Sequence, residues 1–272
     1  MKVNMQKILL IGGGRMGTSL VSGWIKKGIT DSQSVCLVEV DKLKHSFFEQ
    51  SFGISPVINI PSKWEGDCLV IAVKPQALNA VLNKLKISII DVKYLVSIVA
   101  GCNILRIRRS IDTDIPIIRS MPNISSSIGL GVTIMNSDIE ISKEIKILVE
   151  ELMSAVGYID WLKDESLMDL ITALSGSGPA YFFLFIDSLV KAGVRGGLNK
   201  EFTMNLVKNT LEGSLKLCEN ESNIEELIDR VTSPGGTTEA ALKILNHNKL
   251  GINRLIAKAV NAAEKRSKEL AS

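Results

Sequence analysis

A glycine-rich loop near the start of the chain constrains its fold more than any other feature. Residues Gly12–Gly17 read Gly-Gly-Gly-Arg-Met-Gly and stand between the apolar run Lys7–Ile11 and a helical pattern over Met16–Lys27. This pattern is typical of a dinucleotide-binding βαβ unit, because glycines permit a tight turn, approach of the backbone to a pyrophosphate and close helix–strand packing. The free N–H groups at the start of such a helix also favour anions. We therefore predict cofactor contacts from Gly12, Gly14, Arg15, Met16 and Gly17, with a plain glycine-rich turn as the alternative.

The rest of the first half alternates between short apolar runs and helical patterns. Strands are predicted at Val35–Glu39, Cys68–Val73, Tyr94–Val99 and Ile115–Arg119, with possible edge strands at Gly131–Met135 and Gly157–Ile159. Helices are predicted at Lys42–Gln50, Gln76–Leu85 and Lys143–Met153. Strands that alternate with helices favour a parallel sheet built from βαβ units.

After about residue 162 only helical patterns remain. They cover Leu167–Leu174, Pro179–Val194, Glu201–Glu219, Ile224–Val231, Thr238–Asn246 and Leu250–Leu270. The predicted fold class is α/β, with a Rossmann-type dinucleotide-binding domain over 1–162 and an all-α domain over 163–272.

Composition argues against several classes of protein. The net charge is only +3, from 32 basic and 29 acidic residues, which is no electrostatic footprint for nucleic acid. Four scattered cysteines and two histidines lack the paired spacing of a zinc site. The apolar run Gly178–Ile186 falls short of the ~20 residues that span a bilayer, and the polar start Met1–Lys7 does not resemble a leader peptide. We expect no metal, nucleic acid or membrane partner, and a cytoplasmic location.

Two segments follow predicted strands at the edge where open α/β sheets bind ligands. Glu39 ends the second strand, where a carboxylate can accept hydrogen bonds from ribose hydroxyls and repel a 2′-phosphate. A solvated strand-end carboxylate is the alternative, and Lys42 or Lys44 could meet a phosphate instead. The third strand is followed by Val73, Lys74 and Pro75, which are further candidate cofactor contacts, although Lys74 is equally consistent with a surface lysine.

Two loops in the helical half have the composition of a small-ligand site. Gly176 separates Ser175 from Ser177, Gly178 follows ahead of Pro179, and either serine could simply cap the next helix. The second loop, Ser233–Thr238, offers consecutive N–H groups at 235–237, a nest suited to a carboxylate and compatible with a helix cap. The helix that follows the first loop is apolar on every face around Phe182–Ile186, which predicts a subunit interface.

In combination, these motifs resemble the pyrroline-5-carboxylate reductase family almost from end to end. The resemblance is carried by the glycine loop, Val73-Lys74-Pro75, Met121-Pro122-Asn123, the segment Ser175–Tyr181 and the segment Ser233–Thr238. It implies a Rossmann domain followed by a helical dimerisation domain, in homodimers that some members assemble five at a time into decamers. The implied reaction is hydride transfer from NADPH or NADH to the C=N carbon of Δ1-pyrroline-5-carboxylate, which yields L-proline in the last step of proline synthesis.

The resemblance also assigns roles to individual residues. It implies catalytic roles for Thr238 and Ser177 and a cofactor contact at Asn123. The substrate would lie against Ser175, Ser233, Gly235, Gly236, Thr237 and Thr238.

The chain departs from the family pattern in two places. Ile124-Ser125 replaces the usual Thr-Pro after Asn123, and Glu39 stands where small or basic residues are frequent. From Glu39 we expect NADH to be used at least as efficiently as NADPH. The alternatives are another two-domain dehydrogenase, of the β-hydroxyacid or 6-phosphogluconate type, and a non-catalytic dinucleotide sensor.

Overall fold

The computed structural model describes residues 5–219, 221 and 223–271. Its strands are β1 (Ile8–Ile11), β2 (Val35–Val38), β3 (Lys63–Glu65), β4 (Cys68–Ile71), β5 (Ile89–Asp91), β6 (Tyr94–Ser97), β7 (Ile117–Met121), β8 (Gly131–Ser137) and β9 (Gly157–Trp161). Seven strands form one sheet in the order β2-β1-β4-β6-β7-β8-β9, and β3 pairs with β5. All pairs are parallel except β7 with β8.

Six helices accompany these strands: α1 (Arg15–Lys27), α2 (His45–Phe52), α3 (Leu78–Ile87), α4 (Ile104–Ile111), α5 (Lys143–Ser154) and α6 (Met168–Ile171). Successive side chains of a strand point to opposite faces of the sheet. In β1, Ile8 and Leu10 therefore belong to one buried apolar cluster, and Leu9 and Ile11 to a second. Burial on both faces is the usual condition of a parallel sheet covered by helices, and it explains the uninterrupted apolar runs in the sequence.

The remaining helices are α7 (Gly178–Arg195), α8 (Lys200–Glu219), α9 (Ile224–Arg230), α10 (Thr237–Leu245) and α11 (Ile252–Ala271). Beyond β9, the described residues contain no strand. The predicted fold class is confirmed, an α/β nucleotide-binding region followed by helices. The pattern analysis did not find α4 or the short strands β3 and β5.

The chain divides into two compact units at a different place from the predicted domain boundary. The first unit extends to Ser177 and resumes at Ala263, and the second is Gly178–Ala262. Segment 163–177 belongs to the first unit because Glu165 and Asp169 are paired with Arg119 of β7. The assignment of cofactor binding to residues 1–162 and of dimerisation to residues 163–272 stays a prediction.

One helical run passes a length and composition test for a membrane span. It covers Glu165–Arg195, and 11% of its most apolar window is buried. The uninterrupted run Gly178–Ile186 is shorter than a membrane span, but the helix also contains apolar residues on either side of that run. The mean hydropathy of the longer segment is therefore high. Such a run is also what an exposed subunit interface produces.

Candidate active site

The glycine loop lies at a switch point of the sheet. Strand β1 has β2 on one side and β4 on the other. The order of the strands along the chain therefore reverses its direction across the sheet at β1. Ligands of open α/β sheets bind in the crevice outside the carboxyl ends of strands at such a point. The loops after β1, β2 and β4 carry the glycine motif, Glu39 and Val73-Lys74, respectively.

Three glycines have different steric reasons for being glycine. Gly12 has φ +108°, and a Cβ there would lie 2.5 Å from the carbonyl oxygen of Ala72. A Cβ on Gly17 would collide with the carbonyl oxygen of Gly12. By contrast, no atom lies within 4 Å of a Cβ built on Gly14, the N-cap residue of α1. Gly12 therefore permits the turn, and Gly17 permits close packing of α1 against the loop. Gly14 leaves open space at the helix N-terminus, as a dinucleotide pyrophosphate requires.

Glu39 is buried and turned towards the glycine loop. Its Oε2 accepts a hydrogen bond from the Gly13 N–H at 2.9 Å, and its Oε1 accepts one from the Asp41 N–H at 2.8 Å. Lys44 Nζ lies 3.4 Å from Oε2. Only 6% of Glu39 is exposed, so the solvated carboxylate considered above does not describe it. Two backbone donors fix the carboxylate beside the glycine loop, and Lys44 supplies one compensating charge.

Two cavities flank the glycine loop. The first, of about 420 Å³, is lined by Gly12, Gly14, Glu39, Lys44, Val73, Lys74 and Lys84 among others. The second, of about 1180 Å³, is lined by Gly14, Arg15, Met16, Val73, Lys74, Met121, Asn123 and Gly176 among others. Most of the predicted cofactor residues are thus brought together. Pro75 begins the short helical turn Pro75–Ala77, and Gly17 packs behind the loop.

Asn123 borders the larger cavity, but its amide is engaged inside the protein. Its Oδ1 accepts hydrogen bonds from the N–H groups of Ser125 and Val132, both at 3.2 Å. Its Nδ2 lies 3.3 Å from the Ser175 carbonyl oxygen and 3.4 Å from the Ser175 hydroxyl. The residue therefore joins two segments that border the cavity.

The two serines of the first loop do not cap a helix, contrary to one of the sequence interpretations. Residues Thr172–Gly176 form a π-helix that continues α6, and Ser177 keeps a right-handed helical backbone with φ −86° and ψ −21°. The Ser177 N–H donates to the Thr172 carbonyl oxygen at 2.9 Å. An N-cap has an extended backbone, whereas both serines have helical backbones here. π-helical segments are frequent at functional sites.

In the second unit, the predicted nest is partly occupied by the chain itself. Gly236 precedes α10 with an extended backbone, and its N–H donates to the Ser233 carbonyl oxygen at 3.0 Å. The Gly235 N–H donates to Glu239 Oε2 at 2.6 Å. Lys243 and this N–H hold the pKa of Glu239 below its usual value. The three consecutive N–H groups at 235–237 are therefore not all free, although the Glu239 carboxylate does bind at this helix start.

Sequence reasoning missed Arg119, a buried arginine of β7 that pairs with the partly exposed carboxylates of Glu165 and Asp169. A signal was present, because an arginine in the apolar strand Ile117–Met121 requires paired charges if the strand is central. Its partners lie far along the chain, so their identity had no local signature.

The glycine loop, the fixed acidic residue after β2 and the cavities at the switch point define a class of protein, the dinucleotide-dependent Rossmann oxidoreductases. Residues 7–101 match the family model described as NADP oxidoreductase coenzyme F420-dependent. Residues 165–270 match the model described as pyrroline-5-carboxylate reductase dimerisation.

Individual relatives extend over the whole chain. A pyrroline-5-carboxylate reductase of Vibrio alginolyticus is 34% identical over 268 residues, which cover 97% of both chains. The solved pyrroline-5-carboxylate reductase of Coxiella burnetii has 33% identity and a TM-score of 0.84, with 99% of this chain and 100% of that chain covered. The Plasmodium falciparum enzyme, solved with NADP bound, has 30% identity, a TM-score of 0.83 and the same coverage. The chain belongs to the pyrroline-5-carboxylate reductase family.

Proposed function

We propose that this protein reduces Δ1-pyrroline-5-carboxylate to L-proline with NADPH or NADH, the last step of proline synthesis. The observation that carries the proposal is a glycine loop with open space at Gly14, in a chain 34% identical over its length to a reductase of that name. The space beside Gly14 and the start of α1 suit a pyrophosphate, so the residues fit the cofactor.

When bound, NADPH or NADH supplies a hydride to the carbon of the protonated C=N bond, whose electron pair moves to nitrogen. The chain would orient the dinucleotide through the loop at Gly12–Gly17 and Val73-Lys74, while Glu39 receives the adenosine ribose. Thr238 would place a hydroxyl at the ring nitrogen, and the N–H groups at the start of α10 would hold the substrate carboxylate. Orientation can supply up to ~7–11 kcal/mol of the barrier in ideal cases.

Helix α7 supports a homodimer. Phe182, Phe183 and Leu184 are each more than half exposed in the single chain. They lie within residues 165–270, which match the family model described as pyrroline-5-carboxylate reductase dimerisation. A subunit interface explains these residues, and it also explains why the run passes a membrane-span test. A decamer of five dimers, a cytoplasmic location and the absence of a membrane or nucleic-acid partner remain predictions.

The proposal is tested with purified protein by following the absorbance of the reduced nicotinamide. We expect oxidation of the cofactor with Δ1-pyrroline-5-carboxylate and formation of proline, but no turnover with β-hydroxyacids or 6-phosphogluconate and the oxidised cofactor. Turnover of a hydroxyacid alone would support the other class of two-domain dehydrogenase. Cofactor binding without turnover of either substrate would favour a dinucleotide sensor.

A further inference from the structure

An arginine is buried within a strand of the main sheet. Arg119 lies in β7 between Ile118 and Ser120 and is only 5% exposed. Its Nη1 lies 3.1 Å from Glu165 Oε1, and its Nη2 lies 3.3 Å from Asp169 Oδ1. A buried ion pair contributes little net stability compared with apolar residues of similar volume. The presence of this cluster therefore requires another reason.

The two carboxylates belong to one short segment that leads into the π-helix. Glu165 also accepts the Ile104 N–H at 3.0 Å, and Asp169 also accepts the Ser267 hydroxyl at 2.7 Å. Asp169 lies within α6, which continues without a break into Thr172–Gly176. Because the planar guanidinium bridges both carboxylates, it fixes the position and the rotation of the helical turn before Ser175.

The same strand and its loop hold the other end of the π-helix. Asn123, soon after β7, donates to the carbonyl oxygen and the hydroxyl of Ser175. A Cβ on Gly176 would lie 2.8 Å from Met121 Cε, so the end of the Met121 side chain packs against the π-helix at Gly176. The segment that ends at Ser177 is thus held upstream by Arg119 and downstream by Asn123, and it borders the larger cavity at Gly176.

We propose that Arg119 is a positioning residue of the reductase, which acts through the Glu165–Asp169 turn to set the place of Ser175 and Ser177. The inference rests on the proposed function, since these serines matter only if the cavity beside them receives the imine. Arg119 makes no described contact with the cofactor loop Gly12–Gly17. Its loss should therefore alter turnover and imine binding more than dinucleotide binding.

The experiment compares Arg119→Lys with Arg108→Lys in the full-length protein. Lysine keeps the charge but cannot bridge two carboxylates. Arg108 is a matched control, because it makes a two-bond pair with Asp138, both at 2.9 Å, away from the π-helix. We measure kcat and KM for Δ1-pyrroline-5-carboxylate, the Kd of NADPH and hydrogen exchange of peptides that cover 172–177.

We expect Arg119→Lys to lower kcat/KM at least about 10-fold, with the NADPH Kd within about twofold, and to speed exchange at 172–177. Arg108→Lys should do neither. The proposal would be overturned by unchanged exchange and turnover in Arg119→Lys, or by equal losses in Arg108→Lys. A loss of NADPH affinity in Arg119→Lys as large as its loss of turnover would also overturn it.

A second variant, Asp169→Asn, tests the same pairing if Arg119→Lys fails to fold. Asp169→Asn keeps the acceptor for Arg119 and Ser267 but removes one charge, and it should shift exchange and kcat/KM in the same direction by a smaller factor. No shift in either quantity would overturn the proposal. If the wild-type protein does not reduce the imine, the proposed function fails, whereas the exchange measurement still tests the positioning.

Discussion

The two compact units treat their apolar side chains in opposite ways. In the first unit, Ile8, Leu9, Leu10 and Ile11 are at most 3% exposed, and helices cover both faces of the sheet. In the second unit, Gly178–Ala262, the described residues include five buried ones: Gly178, Val190, Thr203, Gly251 and Val260. Large apolar side chains there are widely exposed, among them Phe182, Phe183, Leu215, Ile244, Leu250 and Leu255.

This difference shows that similar apolar content can have two physical purposes. The first unit buries its apolar surface by its own folding. The second unit leaves a surface that only another polypeptide or an apolar phase can cover, since monomeric proteins rarely expose patches of this kind. The variants below test whether a second copy of the chain provides the cover, and whether the chemistry is divided between the units.

The largest effect is expected from a charge on the uncovered face. Phe183→Asp should break the proposed dimer and lower activity by about 1,000-fold, because an unpaired carboxylate would have to be buried in an apolar interface. The mass in solution is measured by light scattering alongside the rate. Ile87→Asp, at an 82% exposed position ending α3 of the first unit, is the control and should change neither quantity. An active, soluble Phe183→Asp dimer would remove α7 from the interface.

The second-largest effect on activity is expected from removing one hydroxyl group in the second unit. Thr238→Ala should lower kcat/KM about 10- to 1,000-fold, as loss of one transition-state hydrogen bond can cost several kcal/mol. The rate is measured with saturating NADPH. Thr238→Ser, which keeps the hydroxyl, should recover most of the activity. Thr238 has no part in the mechanism if the alanine variant remains within twofold of wild type.

In the first unit, two glycine substitutions should separate folding from cofactor binding. Gly12→Ala places a Cβ against Ala72 at φ +108°, so it should weaken NADPH binding about 100-fold and also lower the Tm. Gly14→Ala meets no atom within 4 Å and should weaken binding while the Tm stays close to wild type. Calorimetry and thermal unfolding measure the two quantities. Normal binding by Gly14→Ala would show that the pyrophosphate lies elsewhere.

The smallest effect concerns the choice between cofactors. We expect NADH to be used at least as efficiently as NADPH, because the fixed Glu39 carboxylate repels a 2′-phosphate by about 1 kcal/mol after screening, or roughly fivefold. Lys44 reduces this preference, since its Nζ lies 3.4 Å from Glu39. Glu39→Ser should shift the ratio of kcat/KM values towards NADPH, and Lys44→Ala should shift it towards NADH. A tenfold wild-type preference for NADPH would refute this role of Glu39.

Local patterns predicted much of the first unit. The run Lys7–Ile11 and the glycines after it predicted β1, the turn and α1, because strand burial and turn sterics act over a few residues. The strand β3 was missed because its three residues alternate without a buried face of their own. Ser175 and Ser177 looked like caps because serine next to glycine and proline usually marks a helix start.

Contacts between distant parts of the sequence were beyond prediction. The local contact of Glu239 could have been suspected, because Glu239 lies three residues after the N-cap Gly236, where a capping box places its acid, although it binds the N–H of the preceding Gly235. The pairing of Arg119 with Glu165 and Asp169 could not, since it depends on which helix end reaches β7.

Helix α11 gives the chain an unusual order of completion. It runs through Ile252–Ala271, but its residues from Ala263 onwards belong to the first unit, where Ser267 donates to Asp169 at 2.7 Å. Domains generally begin to fold during synthesis, at about 5–20 residues per second. The cofactor-binding unit therefore acquires all its parts only after the whole of the second unit has been synthesised. A truncation after residue 262 would destabilise the first unit, although most of that unit precedes the second one in the sequence.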